Sequence, residues 1–191
     1  MQAFTDARVD NTQNELWVVE HPPVYTLGQA GKREHILDAG QIDIVESDRG
    51  GQVTYHGPGQ VIVYTLINLR RAHMGIRELV IRLEQAVIAT LSEFGVGSVG
   101  KRDAPGVYVD NRKIAALGLR VRRGCSYHGL SLNVDVDLSP FAGINPCGFK
   151  GLKVTSMREA GVEADKSAIV ECLLQSLIDQ LDHVLVHKAG V

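Results

Sequence analysis

Val107-Tyr108-Val109-Asp110-Asn111-Arg112-Lys113-Ile114-Ala115-Ala116-Leu117-Gly118-Leu119-Arg120-Val121 is the stretch on which the fold turns. Strand-forming residues crowd both sides of Asp110-Asn111, and those two tolerate the backbone of a tight turn. The segment therefore predicts a β-hairpin with Lys113 on or beside its second strand. Downstream, the short basic loop Arg122-Arg123-Gly124 leads into residues 126–137, where Leu130, Leu132, Val134 and Val136 recur with period two and predict another strand. Upstream, residues 16–20 read as a strand stopped by Pro22-Pro23, residues 42–46 as an alternating strand, and residues 61–67 as a continuous β-rich run suited to burial. Two segments switch to helical spacing. Ile76, Leu79, Val80, Leu83, Val87, Leu91 and Phe94 form one apolar stripe ended by Gly95; Ile169, Val170, Leu173, Leu174, Leu177, Ile178 and Leu181 form another, with Asp165 or Ser167 as its cap. Strands concentrated in the centre and helices set apart predict an α+β fold, a single domain of mixed β-sheets flanked by helices.

The totals narrow the function classes. A chain of 191 residues, 45% apolar and 22% charged, is long enough to bury one core without disulfide or metal staples. Its net charge of -2 supplies no basic excess for nucleic acid. Cys125, Cys147 and Cys172 form no Cys-x-x-Cys pair, which argues against a zinc site and against a disulfide framework. No apolar run reaches the length of a bilayer span, and Met1-Gln2-Ala3-Phe4-Thr5-Asp6 lacks the regions of a signal peptide. The expectation is a soluble cytoplasmic protein with no metal, no cofactor, no nucleic acid and no membrane partner.

Cys147 lies in Asn145-Pro146-Cys147-Gly148, residues that mark a tight exposed turn rather than core; a solvent-reachable thiol beside a cation is a nucleophile. Cys125 and Cys172 keep the ordinary reading of small buried hydrophobes, Cys172 because it borders the last apolar stripe. A second dense block, Arg49-Gly50-Gly51-Gln52-Val53-Thr54-Tyr55-His56-Gly57-Pro58-Gly59-Gln60, is too long for a simple hairpin turn. It reads as a loop that brings backbone close to a ligand, with amide N–H groups available to an acyl oxygen. Cysteine turn and glycine block together point to covalent acyl transfer rather than passive binding. On the residues alone Lys113 reads as a solvated lysine after a turn, and His56 and His128 stand as candidate bases for a Cys-His pair. Gly95-Val96-Gly97-Ser98-Val99-Gly100-Lys101 matches Gly-x-Gly-x-x-Gly and most of a P-loop. It ends a helix instead of opening one, however, and Arg102 stands where Ser or Thr should be, so it reads as a turn. Arg120, Arg122 and Arg123, with Lys150 and Lys153, either dock an acidic carrier or form solvated faces.

With residues 49–60, Ala104-Pro105-Gly106-Val107-Tyr108-Val109, Lys113-Ile114, His128-Gly129-Leu130 and Asn145-Pro146-Cys147-Gly148 in this order, the chain resembles the lipoyl(octanoyl) transferases from about Glu15 to the C-terminal helix. The resemblance implies the fold of lipoate and biotin protein ligases. It also implies transfer of an octanoyl group from octanoyl-acyl carrier protein to a lysine of apo lipoyl domains, those of 2-oxoacid dehydrogenases and the glycine cleavage H protein. By it Cys147 is the acyl-thioester nucleophile and Lys113 its activating cation. The implied acyl-binding surface comprises Arg49, Gly50, Gly51, Gln52, Val53, Thr54, Tyr55 and His56, then Ala116, Leu117 and Gly118, then Gly129, Leu130 and Ser131. Ala116 stands where many members carry Ser, which leaves backbone donors to bind the acyl carbonyl. Members begin with a further strand and helix, so residues 1–191 are expected to form one catalytic domain starting within that helix. The rivals are an ATP-dependent lipoate ligase, which activates a free acid without an obligate thiol, and a non-catalytic acyl-carrier binding module.

Overall fold

In the computed structural model, which describes residues 1–182 and 184, nine strands and three α-helices follow one another among those residues. They are α1 (Gln2–Asp6), β1 (Glu15–Val19), β2 (Val24–Leu27), β3 (Asp43–Glu46), β4 (Val53–His56), β5 (Gln60–Leu66), α2 (Ile76–Glu93), β6 (Val99–Gly100), β7 (Val107–Val109), β8 (Arg112–Arg122), β9 (Cys125–Asn133) and α3 (Lys166–Leu181). The expected hairpin is β7–β8. Asp110 and Asn111 both take positive φ, 48° and 63°, the left-handed pair that a two-residue turn between twisted strands requires. Arg123 and Gly124, at 51° and 78°, make a second such turn from β8 into β9.

Six strands in the order β1-β5-β9-β8-β7-β6 pair antiparallel throughout. A separate sheet, β3-β2-β4, is mixed: β2 runs parallel to β3 and antiparallel to β4. The large sheet buries one face under α2 and α3. Val61 and Val63 of β5, Leu130 and Leu132 of β9, and Ile114 and Ala115 of β8 meet Leu79, Leu83 and Leu91 of α2 and Ile169, Leu173 and Leu177 of α3. The small sheet has its own core, where Tyr25, Leu27, Val53 and Tyr55 pack on Val136, Phe141 and Ile144. This is the expected α+β arrangement of mixed sheets flanked by helices.

Three local readings change. The glycine block is not all loop, because Val53-Thr54-Tyr55-His56 forms β4, alternately buried and half-buried. Strand β2, following Pro22-Pro23, was not singled out in the sequence, although Val24, Tyr25 and Thr26 are strand formers. The strand expected to reach Asp137 ends at Asn133, where Val134 and Asp135 both donate their N–H groups to the Gly59 carbonyl. Helix α2 stops where expected, with Gly95 at φ 74°. Asp165 is the N-cap of α3, although its side chain makes no capping hydrogen bond. Among the described residues no helix is long and apolar enough to cross a membrane.

Candidate active site

Strand β8 would bury Lys113 in the helix-facing core if it alternated without a break. A register shift against β7 prevents this: Val107 pairs with Ala115 but Tyr108 pairs with Lys113, so Ile114 is an extra residue. Ile114 and Ala115 therefore both enter the core under the helices, and Lys113, Ala116 and Gly118 face the opposite side. Lys113 is only 4% exposed, which corrects its reading as a solvated residue.

Cys147 comes to Lys113 through backbone pairing. The segment after the cysteine runs parallel to the start of β8 through a bridge between Lys113 and Val154, with Lys113 N–H donating to Lys153 O at 2.9 Å and Thr155 N–H to Lys113 O at 3.0 Å. Before the cysteine, Ile144 bridges to Ile36 and Asn145 N–H donates to His35 O at 2.8 Å. Between these anchors Pro146–Gly148 makes a single 3-10 turn with Cys147 at φ 56° and Gly148 at φ 77°. A non-glycine residue held left-handed is sterically disfavoured, and such residues cluster at functional sites. Cys147 is half-buried, and Lys113 Nζ lies 3.1 Å from its Sγ. The same Nζ donates to Pro105 O at 3.0 Å and stands 5.2 Å from the centre of the Tyr108 ring. Burial alone would lower the pKa of Lys113; the sulfur of Cys147 and Tyr108 outweigh burial, and the net shift is upward, which keeps the ammonium charged against the sulfur.

The pair opens on a cleft of about 720 Å³. Its floor is the helix-free face of the large sheet, and cross-strand register sets it in rows: Ile62, Ser131 and Ala116 side by side on β5, β9 and β8, then Tyr64, Gly129 and Gly118. The glycines are fixed by geometry, since a Cβ on Gly129 would lie 1.9 Å from Val63 O, and one on Gly118 3.1 Å from Arg49 Cδ. The opposite wall is a row of the small sheet, Val45, Thr26 and Thr54. Of the expected acyl-binding residues, Arg49, Gly50, Gly51, Gln52, Val53, Thr54, His56, Ala116, Leu117, Gly118, Gly129, Leu130 and Ser131 all border this cleft.

Tyr55 does not border it. Strand alternation turns its side chain into the small-sheet core, with ring centres 5.6 Å from Tyr25 and 5.5 Å from Phe141. The guanidinium of Arg49 donates to Thr26 Oγ1, to the Thr26 and Gln52 carbonyls and to Gly50 O, which folds the glycine turn onto β2 at the edge of the cleft. Gly50 N–H in turn donates to Leu119 O at 3.0 Å, holding that turn to β8.

Neither candidate base reaches the sulfur by a hydrogen bond; Lys113 does. His56 Nδ1 lies 2.6 Å from Gln60 Oε1. Because Gln60 Nε2 donates to Asn133 Oδ1 and Tyr55 O, its Oε1 must accept, which assigns the proton of His56 to Nδ1. Burial, reinforced by Arg49, His21 and His128, holds the pKa of His56 down to about 4. His128, at φ 58°, places Nε2 2.8 Å from Asp48 Oδ1 while Tyr127 stacks on its ring and bonds the other carboxylate oxygen. Burial lowers its pKa and Asp48 works against that; Asp48, despite burial that raises it, is held at about 2 by Tyr127, His128 and Gln2. His21, also lowered by burial, joins the cleft 2.7 Å from Tyr64 Oη. All three imidazoles bordering the cleft are thus shifted toward the neutral form.

His21, Thr26, Ile62 and Tyr64 line the site without having been singled out in the sequence, since each lies inside or beside an ordinary strand or turn pattern; Pro105, from one of the motifs that carry the resemblance, lines it too. The basic cluster is engaged locally: Arg122 pairs with Asp6 at 3.0 Å and Arg120 bonds the Gln29 amide, while Arg123, Lys150 and Lys153 are exposed.

Comparison with known proteins adds a family. Residues 1–178 match the lipoyl protein ligase A/B catalytic domain. An octanoyltransferase of Cellvibrio japonicus is 64% identical over 159 residues, which covers 83% of this chain and 74% of that protein. An octanoyltransferase of Vibrio campbellii is 54% identical over 183 residues, 96% of this chain and 83% of that one. A bipartite lipoate protein ligase of Thermoplasma acidophilum has the same fold, with a TM-score of 0.77 over 95% of this chain and 76% of that one at 15% identity.

Proposed function

The chain belongs to the lipoyl protein ligase A/B catalytic-domain family, and within it we propose that this protein is a cytoplasmic octanoyltransferase of lipoate biosynthesis working through a Cys147 thioester. The observation that carries the mechanism is the 3.1 Å approach of Lys113 Nζ to Cys147 Sγ, both of which line the cleft. The Lys113 ammonium faces the sulfur that attacks, and an acyl thioester is already activated, so exchange between two thiols proceeds without a nucleotide.

In the first half-reaction Cys147 Sγ attacks the carbonyl carbon of octanoyl-acyl carrier protein. The bond from that carbon to the carrier sulfur breaks, and the carrier leaves as a thiolate that takes up a proton. In the second half-reaction the amine of a lipoyl-domain lysine attacks the same carbon, Sγ leaves as a thiolate facing Lys113, and the new amide nitrogen gives up a proton. The acceptors are the lipoyl domains of 2-oxoacid dehydrogenases and the glycine cleavage H protein. The alkyl chain lies along the floor of Ile62, Ala116 and the two glycines, where each buried methylene contributes about 0.8 kcal/mol.

Intact mass after incubation with octanoyl-acyl carrier protein, without ATP, tests the reading. The expected product is an octanoyl adduct on Cys147, sensitive to hydroxylamine and absent from Cys147→Ala. Acylation of a lipoyl domain that requires ATP and free octanoate would instead make the protein a ligase, and donor binding with no adduct and no turnover would make it a binding module.

A further inference from the structure

The Pro105 carbonyl that receives Lys113 Nζ belongs to the connection between β6 and β7, residues 101–106, which has no strand or helix of its own. Two contacts hold that connection. Tyr108 Oη donates to Ala104 O at 2.8 Å, and Gly106 N–H donates to Glu84 Oε1 at 2.7 Å. Glu84 stands in the middle of α2, 9% exposed, between the core residues Leu83, Ala86 and Val87. Burial of this carboxylate is costly unless it is paired, and its hydrogen bond runs to the backbone next to Pro105. Burial raises its pKa, while the Gly106 N–H and the charge of Lys113 lower it. Gly106 itself admits no slack. At φ 140° a Cβ there would lie 2.7 Å from Ala115 O and 3.0 Å from Lys113 Cε, so the backbone at Gly106 is packed directly on the end of the lysine.

We propose that Glu84 is a positioning residue for the reaction: through the Gly106 N–H it fixes the Pro105 carbonyl, and that carbonyl orients Lys113 Nζ onto Cys147. The inference rests on the Lys113–Cys147 reading above and deepens it. It explains a carboxylate buried on a helix that otherwise presents only apolar residues and one threonine to the core. Glu84 touches neither sulfur nor substrate, so it acts through Lys113 alone.

The test is the rate at which iodoacetamide alkylates Cys147 at neutral pH, followed by peptide mass, in the wild type, Glu84→Gln, Glu84→Met, Lys113→Met and the Glu84→Met/Lys113→Met double variant. Glutamine keeps an acceptor for Gly106 and is expected to stay within about twofold of the wild type; methionine removes it and is expected to slow alkylation about tenfold, a coupling of the size contacting residues show. In the Lys113→Met background Glu84→Met is expected to add nothing, which a general loss of folding would not reproduce. A wild-type rate in Glu84→Met, an equal fall in Glu84→Gln, or a tenfold fall that persists without Lys113 would each overturn the proposal. An unchanged rate in Lys113→Met alone would instead sink the Lys113–Cys147 reading itself. Amide exchange at Gly106 keeps the test open if Glu84→Met does not fold: protection in the wild type and in Glu84→Gln is expected, and rapid exchange in the wild type refutes the anchor directly.

Discussion

Removing the titration of His56 should flatten the acid side of the stability curve. In the folded chain its pKa is about 4 against an ordinary 6.5, because burial and the neighbouring Arg49, His21 and His128 disfavour the imidazolium. The unfolded chain therefore takes up a proton first as pH falls. The contribution is fully present above about pH 6.5 and is lost progressively toward about pH 4. The full difference corresponds to about 3 kcal/mol, and about 2 kcal/mol of it is already lost near pH 5. His21 and His128 are shifted in the same direction and add to the slope. Asp48 does not enter this window, since a carboxylate held at about 2 loses its contribution only below its unfolded value of 3.8. His56→Asn is the informative variant because its amide nitrogen can replace Nδ1 as donor to Gln60 Oε1. Urea midpoints measured near pH 8 and near pH 5 should show the variant losing about 2 kcal/mol less than the wild type between the two. Equal losses in both proteins, within about 0.5 kcal/mol, would refute the claim that the fold holds this imidazole neutral.

Three further outcomes follow from the cleft and its floor. Ala116→Phe fills the row between Ser131 and the wall, and is expected to lower kcat/KM for the octanoyl donor about 100-fold while iodoacetamide still alkylates Cys147 at the wild-type rate; slowed alkylation would mean the dyad itself had moved. Tyr55→Ala should cost about 3–5 kcal/mol by denaturant unfolding yet leave KM for the donor unchanged, because its ring, 3% exposed, packs on Tyr25 and Phe141 away from the cleft. A raised KM in that variant would return Tyr55 to the binding surface. Gly129→Ala would force a methyl to within 1.9 Å of Val63 O between β9 and β5 and should destabilise by about 4 kcal/mol or more; a midpoint close to wild type would refute that close approach.

How much of this was legible depends on the range of the interaction that set it. Turns are local, and the sequence around Asp110-Asn111 and Asn145-Pro146-Cys147-Gly148 carried them, as did the stripes of α2 and α3. Strand β4 was hidden because four strand residues sit among glycines whose composition reads as loop, and only pairing with β2 reveals it. The burial of β9 was also illegible. An alternating pattern predicts one wet face, yet all nine residues are buried, since α2 covers one side and the Arg49 turn and cleft wall cover the other.

Lys113 shows most directly why composition and period fall short at the site itself. Counted from the turn, the alternation of β8 puts residues 113, 115, 117 and 119 on one face, and Ala115, Leu117 and Leu119 do pack toward the helices. A lysine on that face would be an unpaired charge in the core, so a strand without interruption admits only the solvated reading near the turn. One extra residue, Ile114, changes the phase and sends Lys113 to the cleft face together with Ala116 and Gly118. The bulge therefore has two effects that no single residue type announces: it keeps the apolar series continuous beneath α2, and it brings the one buried lysine among the described residues to the side where the Cys147 turn arrives. That arrival depends in turn on the Lys113–Val154 bridge, a pairing between segments far apart in sequence. The nucleophile was readable from its own neighbours because a turn is a local object; its cation was not, because its position is set by strand register.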